Sequence, residues 1–275
     1  MKEKTNIFLF ILLIGLIVGF YYNTINWLID SWINNSYYSH GFFVPIISIY
    51  IIMRMRKELS NIERKQSQTG IILFISGIIF YSIAYLSTIK FLSGLSIILT
   101  IFGVILYLYG QEFVKKISFP ILFLLLAIPV PIIDLIASPV QTISAVSSSG
   151  LGNFLGIPVQ REGFVLNMPT GKFEVALECG GLRSIISLLT IAIIYAFILE
   201  GSLLMKSVIT LSSIPLAMIG NILRITSLIV ANKYGQETVL NYFHDFSSLL
   251  LFTIALIGLF LVGRSFGRLR FKNIF

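Results

Sequence analysis

Two short polar segments interrupt an otherwise apolar chain, and they carry residue types that covalent chemistry needs. The first segment holds the only cysteine of the 275-residue chain, Cys179. The second holds a guanidinium and an imidazole, at Arg224 and His244. A thiol, a cation and a group that exchanges protons near neutral pH are the parts of a nucleophilic acyl-transfer site. If the fold brings these three residues together, thiol-based acyl transfer is the chemistry they predict.

Cys179 is predicted at the start of a helix. Unpaired amide donors and the positive end of the helix dipole favour the thiolate there, and the thiolate is the nucleophile. Gly180 and Gly181 permit close backbone approach and could leave amides available to hold an oxyanion. Glu178 opposes ionisation of the thiol unless its carboxylate is turned away or paired. The alternative is that the thiol is a small buried hydrophobe.

Arg224 lies inside an apolar segment, where an arginine costs about 2.5 kcal/mol or more on insertion scales. It precedes the predicted end of that segment by about seven residues, which puts it about 10 Å below the surface. Asn221 lies three residues earlier, on the same face of the predicted helix. The functional interpretation is stabilisation of an oxyanion or carboxylate. The structural alternatives are an ion pair with Glu178 or Asp245, or extension of the side chain to the interface.

Four further polar residues accompany these segments. His244 is predicted in a loop before the last helix, where Asp245 could orient its ring or cap that helix; a purely structural histidine is the alternative. Arg183 is expected one turn below Cys179, where it can bind a substrate carboxylate or pair with the nearby glutamate. His40 follows two tyrosines and is interpreted as an interfacial anchor or a substrate contact.

Composition decides the class of protein. The chain is 56% hydrophobic and 12% charged, whereas soluble domains average about 45–50% apolar and about 25% charged residues. Repeated apolar segments approach the ~20 residues that cross a bilayer, so we predict an all-α, multi-pass membrane protein. The net charge of +8 resides at segment ends and suits topology and lipid head groups better than nucleic acid. Two histidines and one cysteine predict neither a metal site nor a cofactor.

Eight apolar segments are predicted to form a bundle of about eight transmembrane helices in a single domain over residues 1–275. The segments are Ile7–Tyr22, Phe42–Met53, Gly70–Ser87, Phe91–Tyr109, Ile117–Ala137, Leu182–Leu199, Ser207–Ala231 and Ser248–Val262.

The distribution of basic residues predicts the orientation of these segments. Fourteen of the 20 lysines and arginines fall in connections that would lie on one side, and such an excess marks the cytoplasmic side. Both termini are then cytoplasmic, and residues 23–41, 138–181 and 232–247 face outward. In the longest of these segments, 138–181, the region 156–163 reads as a turn. Extended runs at 164–169 and 173–177 around Thr170-Gly171 predict a hairpin that leads into Cys179.

Six motifs together resemble the exosortases and, more widely, the exosortase/archaeosortase family of multi-pass membrane cysteine transpeptidases. They stand in the family's order and span residues 37–250. The motifs are Tyr38-Ser39-His40-Gly41, Pro129-Val130-Pro131, Gly156-Ile157-Pro158-Val159 with Glu162-Gly163, Glu178-Cys179-Gly180-Gly181-Leu182-Arg183-Ser184, Asn221-Ile222-Leu223-Arg224-Ile225 and Phe243-His244-Asp245-Phe246-Ser247.

The resemblance implies a role for each candidate residue. Cys179 is expected as the nucleophile, Arg224 as the group that stabilises the transition state and His244 as the acid/base. The implied substrates are exported proteins with a C-terminal tail made of a short motif such as Pro-Glu-Pro, a membrane helix and a basic end. Cleavage through a thioester would be followed by transfer to a lipid or glycan amine or hydroxyl, and Arg183 is hypothesised to contact the acidic residue of the motif.

A transporter or an exopolysaccharide-assembly component with a structural cysteine is the competing hypothesis. Transporters often contain an inverted repeat and place polar residues near the membrane midplane. Here the polar groups gather at one face and no repeat is visible, which favours the enzyme. A non-catalytic membrane scaffold is a third hypothesis, and isolated buried charge argues against it.

Overall fold

The structure, a computed structural model, describes residues 12, 15–234 and 237–266, and it is mostly helical with one small sheet. Internal contacts divide the chain into two compact units, Met1–Pro131 and Ile132–Phe275, called unit 1 and unit 2. The expectation of a single domain stays a prediction.

Unit 1 consists of helices in its described part. Residues 15–20 are helical and lead through Tyr21 into the first labelled helix. The elements are α1 (Tyr22–Asn34), the 3₁₀ helix η1 (Ser36–Phe42), α2 (Phe43–Arg54), α3 (Arg56–Ser60), α4 (Gln68–Leu86), α5 (Lys90–Tyr109), α6 (Gln111–Phe123) and the 3₁₀ helix η2 (Leu124–Ala127).

Small residues bring α4 and α5 into close contact. A Cβ built on Gly77 would collide with Thr100, and one built on Gly103 would collide with the backbone of Phe74. Helices in a bilayer associate by such close packing, since lipid offers no hydrophobic driving force between them. The buried Tyr21 hydroxyl lies 2.7 Å from the Thr100 Oγ1 and joins the first helix to this pair.

The end of α1 and the motif around His40 bind the backbone of η2 and of the segment that follows it. The Trp32 indole donates to the Ala127 carbonyl at 2.7 Å, and the His40 Nε2 lies 3.0 Å from the Leu126 carbonyl. The Tyr38 hydroxyl accepts from the Val130 amide at 2.6 Å. Gly41 packs so tightly on the indole of Trp32 that a Cβ would overlap it. Two motifs that sequence analysis treats separately therefore hold each other in place within unit 1.

The predicted span Ile117–Ala137 is wrong. Its first part lies in α6, which ends at Phe123, and a new helix begins only at Ile133. Pro129 and Pro131 have no amide hydrogen to donate, and each disfavours helical geometry in the residue before it. An apolar run therefore does not form one helix when its centre contains two prolines.

In its described residues, unit 2 combines four α-helices and one 3₁₀ helix with a three-stranded antiparallel sheet in the order β1-β2-β3. Its elements are α7 (Ile133–Phe154), β1 (Gln160–Glu162), β2 (Val165–Met168), β3 (Gly171–Glu174), the 3₁₀ helix η3 (Leu177–Cys179), α8 (Leu182–Ile198), α9 (Leu203–Tyr234) and α10 (Glu237–Ser265).

The predicted hairpin is confirmed, with β2 and β3 pairing around Thr170. Alternate residues of β2, Leu166 and Met168, are buried, as expected for a strand with one face on a core. They pack with residues of α7 and α9, among them Ile225 and Ile229. The Thr170 hydroxyl donates to the Asn232 side chain at 2.7 Å. The sheet is thus fixed to the C-terminal third of α9.

The region 156–163 is not only the predicted turn, because its residues 160–162 form β1 and pair with β2. Residues 138–154, predicted as part of a loop, lie in α7, and most of 23–41 and 232–247 is also helical. These segments lack long apolar runs because they are amphipathic or rich in serine and glycine. A search for spans by apolar length therefore misses them.

Five helices of the described residues are long and apolar enough to cross a membrane: Ser36–Arg54, Gln68–Leu86, Lys90–Tyr109, Leu203–Lys233 and Phe246–Ser265. Leu182–Ile198 is apolar but shorter. The predicted first span lies partly outside the described residues. An all-α membrane protein is confirmed, whereas the count of eight spans stays a prediction.

Candidate active site

The site in unit 2 is organised around the long helix α9. Asn221 and Arg224 are three residues apart and therefore lie on one face of this helix. Asn221 is buried, with 4% of its surface exposed, while Arg224 is half-buried. Pro215 lies within the helix without ending it. The prediction that both residues belong to one apolar helix is confirmed, and this helix continues ten residues beyond Arg224 to Tyr234.

Asn221 connects α9 to the backbone of the cysteine. Its side-chain amide donates to the Cys179 carbonyl at 3.0 Å and to the Ser144 hydroxyl at 3.1 Å. A buried amide with both contacts made is well satisfied, and losing them would leave polar groups unpaired in the interior. The backbone of Cys179 is therefore fixed one helical turn from the position of Arg224.

A polar face of α7 holds the same segment from the other side. The Ser144 hydroxyl donates to the Gly180 carbonyl at 2.7 Å, and the Gln141 side chain donates to the Val175 carbonyl at 2.6 Å. Both side chains are buried. We call Gln141, Ser144 and Asn221 the backbone clamp, because together they bind three carbonyls between residues 175 and 180.

Gln141 and Ser144 are not among the residues that the sequence predicts for the site. Their spacing of three residues is a helical signal, and it becomes visible only once 138–154 is read as a helix. Serine and glutamine inside a moderately apolar helix could then have indicated a buried polar contact.

The prediction that Cys179 lies at the start of the apolar helix α8 is wrong. Cys179 ends the short helix η3, and α8 begins three residues later at Leu182. The Cys179 amide donates to the Ala176 carbonyl and the Gly180 amide to the Leu177 carbonyl. The Gly180 amide therefore closes this 3₁₀ turn, instead of standing open for an oxyanion as predicted. Arg183 accordingly follows Cys179 across a turn, and the expected helical stacking of the two residues is wrong.

Gly181 has a backbone requirement that only glycine meets without strain. Its φ is +105°, and a Cβ at this position would lie 2.9 Å from the Asn221 amide nitrogen. Left-handed backbone and close approach both exclude a side chain there. Gly181 thus lets the chain turn from η3 into α8 directly against the backbone clamp.

A small cavity of about 10 Å³ lies beside Arg224. Ser184 from α8 and Ser248 from α10 share its lining with Arg224 and Asn221. Such a volume is about the minimum that can hold one water molecule. Three helices of unit 2 thus contribute polar side chains to one place, next to the clamped backbone of Cys179.

His244 lies in α10, which begins at Glu237, and not in a loop before the last helix as predicted. Its side chain is outside the described residues. The helix register places position 244 four residues before Ser248, so both positions share one face of α10. Convergence of the Cys179 sulfur, the Arg224 guanidinium and the His244 ring stays a prediction.

The remaining candidates occupy different positions. Arg183 is exposed in the first turn of α8, next to the cavity-lining Ser184. The side chains of Glu178 and Asp245 lie outside the described residues. His40 belongs to unit 1, where its ring also lies 6.2 Å from that of Tyr38.

Five long apolar helices among the described residues define a multi-pass helical membrane protein, and polar side chains of three helices of unit 2 meet at one cavity. The chain belongs to the transmembrane exosortase family, because a family model of transmembrane exosortases matches residues 32–261, most of the sequence. Exosortases are a family of transpeptidases and proteases that act on proteins with sorting signals. Neither the curated proteins nor the solved structures compared with the chain gave a match.

Proposed function

We propose that this exosortase is a membrane-embedded cysteine transpeptidase that cleaves the C-terminal sorting signal of exported proteins. The reaction proceeds through a thioester on Cys179, and the protein is then transferred to a lipid or glycan acceptor in the envelope. The enzyme lies in the cytoplasmic membrane, with both termini in the cytoplasm and its site on the extracytoplasmic face.

The observation that carries the proposal is the hydrogen bond from the Asn221 amide to the Cys179 carbonyl. It fixes the only cysteine of the chain beside the helical turn that presents Arg224. A membrane helix that carries an arginine at a polar junction typically uses it for function or for a defined pairing. A preorganised nucleophile beside a cation is what acyl transfer requires.

The reaction assigned to the three residues has two steps, formation of a thioester on Cys179 and transfer to the acceptor. The Cys179 thiolate attacks the scissile carbonyl, and Arg224 stabilises the negative charge that develops on its oxygen. His244 donates a proton to the departing amine, which releases the tail and leaves the protein as a thioester. An acceptor amine or hydroxyl then attacks the thioester, His244 takes its proton, and the thiolate leaves.

A second contact with the sorting tail is assigned to the positive charge of Arg183. Arg183 is exposed beside Ser184, and we assign it to the acidic residue of a motif such as Pro-Glu-Pro. A guanidinium binds a carboxylate by paired hydrogen bonds, which a lysine does not reproduce. The basic end of the tail would remain in the cytoplasm.

The test uses cells that express the full chain with a secreted reporter carrying a Pro-Glu-Pro tail, a membrane helix and a basic end. Wild type should shorten the reporter, and added hydroxylamine should release it as a hydroxamate, because hydroxylamine attacks thioesters. Cys179→Ala should abolish both products while still inserting in the membrane, and Ser149→Ala should leave both unchanged. Processing by Cys179→Ala at the wild-type level would reject the nucleophile assignment.

A further inference from the structure

A cavity of about 390 Å³ opens in unit 1 where α4 ends and α5 begins. Its wall contains the apolar surfaces of Trp27 and Leu86. Polar groups come from Asn23 and Tyr85, which hydrogen-bond to each other at 2.9 Å, and from Lys90. Sites for small ligands have volumes of about 300–1,000 Å³ and combine apolar walls with a few polar groups.

The depth of this cavity matches an amphiphilic ligand. Tyr21 contacts Thr100, which lies midway along the candidate span α5. Trp27 follows Tyr21 by six residues, about 9 Å along the helix, and Lys90 precedes Thr100 by ten residues, about 15 Å. The cavity therefore extends from the apolar interior of the spans toward their polar ends.

Lys90 supplies a positive charge at the polar end. Its side chain is exposed, and no carboxylate lies within ion-pair distance among the residues that the structure describes. Unit 1 contains seven other lysines and arginines between residues 15 and 131, and they gather around the opposite ends of α4 and α5: Arg54, Arg56, Lys57, Arg64, Lys65, Lys115 and Lys116. Lys90 is thus an isolated cation at a lipid boundary, where an anionic head group provides the missing counter-charge.

The turn at the cavity is conformationally strained. Thr88 has a φ of +58°, and a β-branched residue in this left-handed region is an outlier. The turn ends α4 through a hydrogen bond from the Ile89 amide to the Ala84 carbonyl. In a helix end of this kind the left-handed position, here that of Thr88, is usually occupied by glycine. Strain of this kind clusters at ligand clamps, and Thr88 lines the cavity.

We propose that this cavity binds one anionic phospholipid of the surrounding membrane. The phosphate pairs with Lys90, and an acyl chain packs against Trp27 and Leu86. The apolar wall selects a membrane lipid over free phosphate, because inorganic phosphate gains nothing from apolar contact. This site is independent of the chemistry assigned to Cys179.

Trp27 provides the reporter, since the chain has only two tryptophans, Trp27 and Trp32. The full chain is reconstituted in phosphatidylcholine vesicles containing a minor fraction of brominated phosphatidylglycerol or brominated phosphatidylcholine with identical acyl chains. Bromine quenches tryptophan at contact. Brominated phosphatidylglycerol should quench Trp27 more than brominated phosphatidylcholine does, because one surface charge corresponds to about fivefold higher relative affinity. Trp27→Phe should remove this difference in quenching.

Lys90→Gln should abolish the preference for phosphatidylglycerol, whereas Lys172→Gln, which removes an exposed lysine of the hairpin, should leave it intact. Equal quenching by the two brominated lipids, or an unchanged preference in Lys90→Gln, would overturn the proposal. Inorganic phosphate at constant ionic strength should have no effect. If phosphate removes the preference, the cavity takes a free anion and the lipid assignment is wrong.

Discussion

At the scale of single residues, the site depends on backbone groups as much as on reactive side chains. Gln141, Ser144 and Asn221 bind the carbonyls of Val175, Gly180 and Cys179. Acyl transfer demands a nucleophile held close to its productive geometry, because a displacement of about 1 Å can cost about 100-fold in rate. The residues that orient Cys179 are therefore expected to matter for turnover although none of them reacts.

Replacement of Asn221 tests the backbone clamp. Asn221→Ala removes two hydrogen bonds and leaves buried polar groups unsatisfied, so the free energy of unfolding should fall by about 1–3 kcal/mol. Processing of the reporter should fall as well. Thermal unfolding in detergent measures the first effect. Thr142→Ala, at an exposed position of α7, is the control, and equal behaviour of the two variants would contradict the role of the clamp.

Two glycines form a matched pair for a second test. Gly181→Ala forces a side chain into left-handed backbone, at about 1–2 kcal/mol, and against Asn221. It should destabilise the protein and stop reporter processing. Gly150 is helical with open space around it, so Gly150→Ala should instead stabilise by about 0.5–1 kcal/mol. Wild-type processing by Gly181→Ala would show that the turn tolerates a different backbone.

At the scale of elements, the sheet of unit 2 supports the site from the side. β2 buries Leu166 completely against α7 and α9, and β3 leads directly into η3 and Cys179. The loop that carries the nucleophile thus begins at a folded sheet and ends at the first turn of α8. Its position is determined at both ends, which limits the conformations that the short segment between them can adopt.

A substitution that weakens the packing of the sheet should therefore also disturb the position of Cys179. Leu166→Ala creates a cavity in the core and should lower the free energy of unfolding by about 2–5 kcal/mol, with a drop in reporter processing. The exposed Lys172 lies on the neighbouring strand, and Lys172→Ala should change neither quantity. Both are read from thermal unfolding and product formation. A stable Leu166→Ala variant without activity loss would mean that the sheet does not position the cysteine segment.

At the scale of the whole molecule, the distribution of charge predicts the orientation that the proposed mechanism needs. Basic residues gather at one end of the spans of unit 1, where Lys116 also pairs with Glu58 at 3.3 Å. That end is expected in the cytoplasm. Under the proposed function, exported substrates approach from the extracytoplasmic side, so Cys179 should be accessible from that side.

Labelling with an impermeant thiol reagent tests this orientation, because Cys179 is the only cysteine. Intact cells or spheroplasts should be labelled at Cys179, and Cys179→Ser should abolish the signal. In that background, Lys57→Cys, at an exposed position of α3, should react only after permeabilisation. Labelling of Cys179 solely after permeabilisation would place it in the cytoplasm and contradict the proposed function.

Sequence alone determined the class of the protein and its family, and it supplied the reactive residues of the proposed mechanism. Burial of apolar surface in lipid demands long apolar helices, and those runs are readable directly, as in α4 and α5. The hairpin was readable too, since turn residues and extended runs are local signals. These features depend on neighbours in the chain, and no distant contact is needed to recognise them.

Tertiary structure decided what holds the site. Three predictions were wrong: residues 138–154 were expected in a loop, α6 and α7 were expected to be continuous, and the last helix was expected to begin near Ser248. In these segments backbone geometry follows from proline, buried polar contacts and packing, and overall hydropathy is only moderate. The clamp on Cys179 joins residues 34 to 42 positions apart in sequence. Hydrogen bonds over such separations form only when α7 and α9 pack against the segment 175–180, and local sequence patterns do not predict that packing.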